Sequence, residues 1–351
     1  MTRVNLIHPI GGLMGQRLGL IAFWKDYDRD LYLKAAKLAD VLGYDSFWVS
    51  EAWGYDCTTL LAEMAVKTKN IKLGSGIINV FSRSPALIAM QAATLQEMSD
   101  GRFMLGIGTS AKPVIEGLHG KDFSKPLTKM RDVIRVVRAL HDGEPLHESG
   151  AIIDDYRPFN LAVDTPVTPR VPIYQASLKQ KAITSIGEMA DGWMPIFWPY
   201  DRFDEGREWI EDGAKKAGRS PSEIVTAPYT TVIPLPGDRA QKQAKDILSF
   251  YVGGMGPFYK QLLTDFGWGE ECEEIAEIYS DKETREHAWE AVTDEMVEKL
   301  FIAGDPLYCR RELRRRRDEF GMEYPLINLP PNRSWPELAA FLIALAPTRW
   351  P

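Results

Sequence analysis

The 351-residue sequence is poor in the residues that build disulfides and metal sites. It has three cysteines, Cys57, Cys272 and Cys309, and five scattered histidines. Three widely separated thiols suit a reducing compartment, so a cytoplasmic location is expected. No cysteine pair has metal-ligand spacing and His-Glu-x-x-His is absent, so no metal is expected. No apolar run approaches the roughly 18 residues of a membrane span. Met1-Thr2-Arg3-Val4-Asn5 is not followed by the apolar core of a secretory signal. Positive charge is not in excess either. There are 42 basic and 49 acidic residues, a net charge of −7, with a pI near 5.5. A nucleic-acid binder usually carries a basic face or a high pI, so neither nucleic acid nor membrane is an expected partner. The arginine-rich run from Arg310 to Arg317 has Glu312, Asp318 and Glu319 nearby and reads as a solvated helix face.

Common catalytic signatures are also missing. Gly106-Ile107-Gly108-Thr109-Ser110-Ala111 begins like a dinucleotide fingerprint, but Ala111 stands at the third glycine's place and the run follows a fourth strand. Gly117-Leu118-His119-Gly120-Lys121-Asp122 has Asp where a P-loop needs Ser or Thr. No Gly-x-Ser-x-Gly elbow is present.

What is present is a repeat of short apolar runs and helical stretches, in a chain that is 45% hydrophobic and 26% charged, the profile of a globular protein. Strands are expected at 17–23, 46–50, 71–80, 102–107, 171–176, 192–196, 225–233 and 324–329. Helices are expected at 28–42, 58–68, 85–98, 127–140, 181–190, 203–217, 239–251, 305–320 and 335–345. In the first of these, Leu31, Ala35, Leu38, Ala39 and Leu42 share one face and Gly43 stops it. Strands joined through helices run parallel, and eight such units close into an α/β (β/α)8 TIM barrel. An open doubly wound sheet is the alternative, but Trp24-Lys25-Asp26-Tyr27 is not the glycine-rich turn it needs. The whole chain, 1–351, reads as one barrel domain. A Pro-rich rim excursion over about 143–170 could form a hairpin, and a mostly helical insertion over about 254–290 could lid the barrel or meet another subunit.

Barrel chemistry sits where strands end. Those ends hold Trp24, Glu51 with Trp53, Gly74 to Asn79, Gly106 to Ser110, Ala176 to Lys179, and Phe197 with Trp198. The mouth is therefore aromatic and glycine-rich, with hydroxyls and few charges. That composition suits a flat conjugated ligand carrying a phosphate.

These segments carry a resemblance. Gly74-Ser75-Gly76-Ile77-Ile78-Asn79, Arg83-Ser84-Pro85, Ser99-Asp100-Gly101-Arg102-Phe103 and Leu105-Gly106-Ile107-Gly108-Thr109-Ser110 resemble the luciferase-like flavin/deazaflavin oxidoreductases. Within them they resemble the branch that uses the deazaflavin coenzyme F420 and includes methylenetetrahydromethanopterin reductase. Ala190-Asp191-Gly192-Trp193 and Phe301-Ile302-Ala303-Gly304-Asp305-Pro306 are similar to later motifs of that family. The resemblance covers about residues 17–345.

It implies a barrel with the cofactor ring across its mouth, with coenzyme F420 as cofactor and FMN as the alternative. It implies a cis peptide at Gly76–Ile77 behind the ring; a glycine bulge that merely curves the strand is the other reading. Ser75, Gly76, Ile77, Asn79 and Gly108 then lie along the ring. Thr109 and Ser110 fall near its polar edge, or cap the next helix. Ala176, Ser177, Leu178 and Lys179 match a phosphate-holding loop. Glu51 is the candidate catalytic carboxylate and a cofactor contact. Placed between Trp48 and Trp53, it is expected to have a raised pKa suited to proton transfer, or else to be a rim carboxylate. Some relatives have Asp-His here; this chain has Glu51-Ala52. Trp24, Trp53, His119, Phe197 and Trp198 are candidate substrate contacts, with packing roles as the alternative. The implied activity is hydride transfer between the deazaflavin and a small organic substrate. An oxygen-using monooxygenase with reduced FMN and a cofactor-binding protein without turnover are the alternatives. A homodimer is expected from the relatives.

Overall fold

The computed structural model describes residues 17–23, 25 and 28–349. Trp24 lies outside them. In chain order the first half runs β1 (Gly19–Ala22), α1 (Arg29–Leu42), β2 (Ser46–Val49), α2 (Cys57–Lys67), β3 (Lys72–Ser75), β4 (Ile78–Asn79), α3 (Pro85–Met98), β5 (Phe103–Gly108), α4 (Lys112–Gly117) and α5 (Pro126–Asp142). The second half runs β6 (Ile173–Gln175), α6 (Gln180–Met189), β7 (Gly192–Trp193), α7 (Phe203–Lys216), β8 (Val225–Thr226), β9 (Tyr229–Pro234), α8 (Asp238–Gly254), α9 (Pro257–Asp265), α10 (Gly269–Ser280), α11 (Asp294–Leu300), β10 (Phe301–Gly304), α12 (Pro306–Phe320), β11 (Leu326–Asn328) and α13 (Trp335–Leu345).

Among the described residues all strand pairings are parallel, in the order β10-β9-β11-β1-β2-β3-β5-β6-β7-β8, with β4 also on β5. Two positions are interrupted strands. β3 and β4 are broken at Gly76-Ile77, and β8 and β9 at Ala227-Pro228. Through the second break β8 meets β7 while β9 meets β11, and the ring closes. Eight positions thus form the expected TIM-barrel-like α/β fold.

Local chemistry explains the helix boundaries. Asp28 accepts from Leu31 N at 2.9 Å, and Gly43 ends α1 at φ 82°, a backbone conformation that glycine adopts without a Cβ penalty. Ser84 accepts from Leu87 N and Pro85 opens α3. The small barrel interior holds Ile21, Trp48, Met104, Tyr174, Met194, Ala227, Tyr324 and Leu326. A larger core fills the layer between strands and helices. A third packs α8, α9, α10 and α11 around Trp268, Leu262 and Phe301.

Three expectations need correction. The rim segment forms no hairpin: among its described residues there is a short turn at Leu146–Glu148 and no strand. Asp132, buried on α5, accepts from Ile152 N and Ile153 N at 2.9 and 2.7 Å. Those backbone groups are thereby satisfied without a strand partner. An additional strand, β10, lies outside the eight and pairs with β9. A short helix, α4, follows β5. The 254–290 segment is helical, as expected.

Candidate functional site

The mouth begins with an irregularity between β3 and β5. Gly74 pairs with Met104, and pairing resumes at Ile78 with Ile107. Three residues on one strand thus oppose two on the other, which is a bulge. Ser75 bridges the gap. Its buried hydroxyl donates to Gly106 O at 2.9 Å and accepts from Gly106 N at 3.0 Å. The Gly76–Ile77 peptide is cis, as the resemblance implied. Asn79 shapes the exit by accepting from Phe81 N and Ser82 N at 3.1 and 2.7 Å.

Glycine is required by the close packing of this floor. A Cβ on Gly76 would lie 2.7 Å from Ile21 Cδ1 and 2.9 Å from the Tyr229 hydroxyl. A Cβ on Gly108 would lie 2.9 Å from Ile77 Cδ1 and 3.4 Å from Ala176 Cβ. The sequence-predicted Gly76, Ile77, Gly108 and Ala176 are therefore gathered in one place. Tyr229, which the sequence reading passed over as a strand residue, joins them through a hydrogen bond from its hydroxyl to Gly76 O. An inward tyrosine just after Pro228 was the available signal.

Glu51 is where the expectation changes most. The apolar slot does not form. The Trp48 indole lies inside the barrel, edge-on to Tyr174 at 5.2 Å, and Trp53 is 46% exposed. Glu51 instead receives both guanidinium arms of Arg83, at 2.6 and 2.8 Å, and Cys57 N at 3.0 Å. Both side chains of this pair are about 10% exposed. Arg83 also pairs with Asp56, which caps α2 by accepting from Thr59 N. Burial disfavours the Arg83 cation, but the hydrogen bonds and charge of Glu51 outweigh it and hold the guanidinium above its ordinary range. Burial likewise opposes the Asp56 anion, yet bonds from Thr58 and Thr59 and the charge of Arg83 bring its pKa down to about 2. This is a closed ion network, and Arg83, present in the Arg83-Ser84-Pro85 motif, had been given no role.

The polar edge is assembled from two loops. Thr109 lies at the end of β5, with Ser110 exposed at φ 57°. The Thr109 hydroxyl makes only a long bond to Ser110 O, 3.4 Å, so neither residue makes the helix cap considered for it; Ala111 holds the α4 N-cap position without a side-chain bond. Across from them Ser177 accepts from Gln175 Nε2 at 2.8 Å, and its carbonyl accepts from Trp193 Nε1 at 2.9 Å. Lys179 occupies the N-cap of α6 without capping it, so the first N–H groups of that helix have no side-chain partner from the cap. The Lys179 ammonium pairs with Asp265 of α9 at 2.7 Å. Leu178 packs between the main and insertion cores.

The proposed substrate contacts are not brought together as a group. Phe197 is buried against Tyr251, Tyr259 and Phe301. Trp198 is buried among Trp193, Trp209 and Phe266 and donates to Arg202 O at 2.8 Å. Both are packing residues between the barrel and its surrounding helices. His119 follows α4; its Nε2 is buried with no hydrogen-bond partner among the described residues. Tyr251 and Tyr259, from α8 and α9, were not singled out by the sequence. Burial raises both phenols, Tyr251 to about 12. Helix α8 and the insertion each reach a barrel end. Phe250 lies under Lys25 Nζ at 5.9 Å, and Asp265 holds Lys179. A surface cavity of about 780 Å³ between α8, α11 and β10 contains Lys242, Trp289 and Tyr308 but none of the predicted site residues. Among the described residues no cluster of three or more metal-ligating side chains occurs, and no helix is long and apolar enough to cross a membrane.

A closed parallel barrel with a bulged, glycine-floored mouth defines the class: an α/β-barrel enzyme with its site at the strand ends. Residues 29–323 match the model of the luciferase-like monooxygenase family. The chain belongs to that family and is an oxidoreductase. A Mycobacterium tuberculosis protein provisionally named a coenzyme F420-dependent oxidoreductase is 29% identical over 320 residues, covering 85% of this chain and 91% of that protein. The 5,10-methylenetetrahydromethanopterin reductase of Archaeoglobus fulgidus is 30% identical over 288 residues, covering 80% and 83%. In structure, the coenzyme F420-dependent tetrahydromethanopterin reductase of Methanopyrus kandleri superimposes with a TM-score of 0.82 at 25% identity, covering 96% of this chain and all of that one.

Proposed function

We propose that this protein is a coenzyme F420-dependent oxidoreductase that moves a hydride between the deazaflavin and a small organic substrate. The observation that carries the reading is the bulge at Gly76-Ile77 on the barrel mouth, where strand pairing lapses and Ile21 and Tyr229 pack behind Gly76. A flat ring would lie against this bulged face, and the F420-dependent proteins among the relatives support a deazaflavin as that ring. Gly76 and Ile77 would back the ring, with Ser75 and Asn79 shaping the bulge. Gly108, Thr109 and Ser110 would face its polar edge. Ser177, Leu178 and Lys179, with the uncapped start of α6, would hold the phosphate. When bound, the deazaflavin supplies two-electron hydride chemistry; the chain's part is to bind, orient and exclude water.

For Glu51 the reading favoured is the rim carboxylate rather than the proton-transfer group. Clamped by Arg83, it fixes the end of β2 to the loop after β4. His119 is the stronger candidate for a polar substrate contact, since its Nε2 has no protein partner. The expected homodimer is part of this reading: light scattering should give twice the chain's 39.6 kDa, and a mass of one chain would retire it.

Difference-spectroscopic titration with F420 and with FMN tests the cofactor. Saturable binding of F420, with bleaching when a substrate is added, is the expected result. Binding of FMN alone, with oxygen uptake once it is reduced, would favour the monooxygenase. Tight binding without turnover would leave a carrier.

A further inference from the structure

Tyr229 lies at a singular place in the barrel. In the ring of eight, β9 is four positions from the β3/β4 strand, so the two face each other across the mouth. The Tyr229 hydroxyl spans that distance and donates to Gly76 O, 153 residues away. Its backbone is anchored separately, with its N–H on Pro195 O at 2.8 Å and its Cα in register with Leu326. The side chain therefore extends from a fixed base.

The acceptor it meets is a glycine carbonyl in the bulge, where ordinary ladder pairing between β3 and β5 has lapsed. A carbonyl outside a ladder needs another partner to fix its direction. The phenol is that partner, and it also occupies the room beside Gly76, 2.9 Å from where a Cβ would stand. Burial pushes the phenol well above its ordinary range, with Tyr259 and Tyr251 adding to the effect. Burial thus favours the neutral, donating phenol, and the two tyrosines named with it lie on α8 and on α9 of the insertion.

We infer that Tyr229 is a positioning residue: it holds the Gly76–Ile77 peptide plane against the face of the redox ring, and so links α8 and the insertion helix α9 to the cofactor. This rests on the ring-binding reading above and adds the residue that sets the ring's seat.

The test is Y229F, which keeps the aromatic ring and removes the donor, with Tyr229→Met as a second variant of different shape. Each variant and the wild type are titrated with F420 and with FMN, following the difference spectrum, and melted without cofactor. The expected result is about tenfold weaker binding of whichever ring the wild type takes, with a shifted difference spectrum, and a cofactor-free melting temperature close to wild type. If either folded variant binds as tightly as the wild type with the same difference spectrum, the inference is wrong. If the wild type binds and both variants lose the cofactor-free fold, Tyr229 is a structural brace only, and again the inference is wrong. If the wild type binds neither ring, the proposed function falls and takes this inference with it.

Discussion

At the residue scale the decisive arrangement is the Glu51–Arg83–Asp56 network, because it converts a candidate acid into an ion pair. Removing one member of a buried pair leaves a charge without compensation. Arg83→Met should therefore destabilise the protein by about 3 kcal/mol, at the low end of what breaking a buried pair costs, read from urea unfolding. A loss below about 0.5 kcal/mol, the size of an ordinary surface effect, would mean the network is ornamental. Asp56 gives a pH signature. Its folded pKa, about 2, lies below the ordinary 3.8, so its contribution is present above about pH 4 and is lost as pH falls toward 2. The carboxylate is 41% exposed, and after allowance for solvent screening the effect is about 1 kcal/mol. Asp56→Asn retains a capping oxygen but not the charge. Acid unfolding should show wild type and variant separated at neutral pH and converging near pH 2. A constant separation would assign the effect to the cap alone.

At the element scale, interior glycines decide whether strands can approach. A Cβ on Gly106 would run into the Ser75 carbonyl, which is backbone and cannot rotate away. Gly106→Ala should cost about 3 kcal/mol or more through overpacking, seen as a large fall in melting temperature or as insoluble protein. A soluble variant melting like wild type would show that the bulge yields. Eight strands were legible because strands buried on both faces read as short continuous apolar runs. β10 was not, since Phe301–Gly304 is four residues between two helices and resembles a helix end. Much of the site was legible for a local reason: Gly76, Ile77, Gly108 and Ala176 mark strand ends, and strand ends must converge in a barrel. The partner of Glu51 is 32 residues away, and Tyr229 reaches a glycine 153 residues away. Such pairings are set by strand order and the direction of individual side chains, which periodicity does not encode.

At the scale of the whole molecule, the insertion and the barrel share one cation. Lys179 stands at the start of α6, where the proposed phosphate would be held, yet its ammonium is engaged by Asp265 of α9. The two side chains are 55% and 47% exposed, so the pair itself contributes little to stability, of the order of 0–1 kcal/mol. Its consequence is competition. An anion bound at α6, as proposed, would draw Lys179 away from Asp265, and the insertion would lose a tether as the cofactor arrived. Lys179→Ala should weaken binding about tenfold, the equivalent of one charge-assisted hydrogen bond of roughly 1.4 kcal/mol. Asp265→Ala should act oppositely and tighten it by about twofold, because the ammonium no longer has to leave a partner. Neither change should move the melting temperature of the free protein by more than about 1 °C. Because both effects are electrostatic and partly exposed, they should shrink between low and high salt. Isothermal titration of the two variants at both ionic strengths separates the possibilities. Opposite shifts that salt erases fit competition for Lys179; equal losses in both variants would show instead that the ion pair holds the insertion in its binding-competent place, and unchanged affinities would make Lys179 an ordinary solvated lysine.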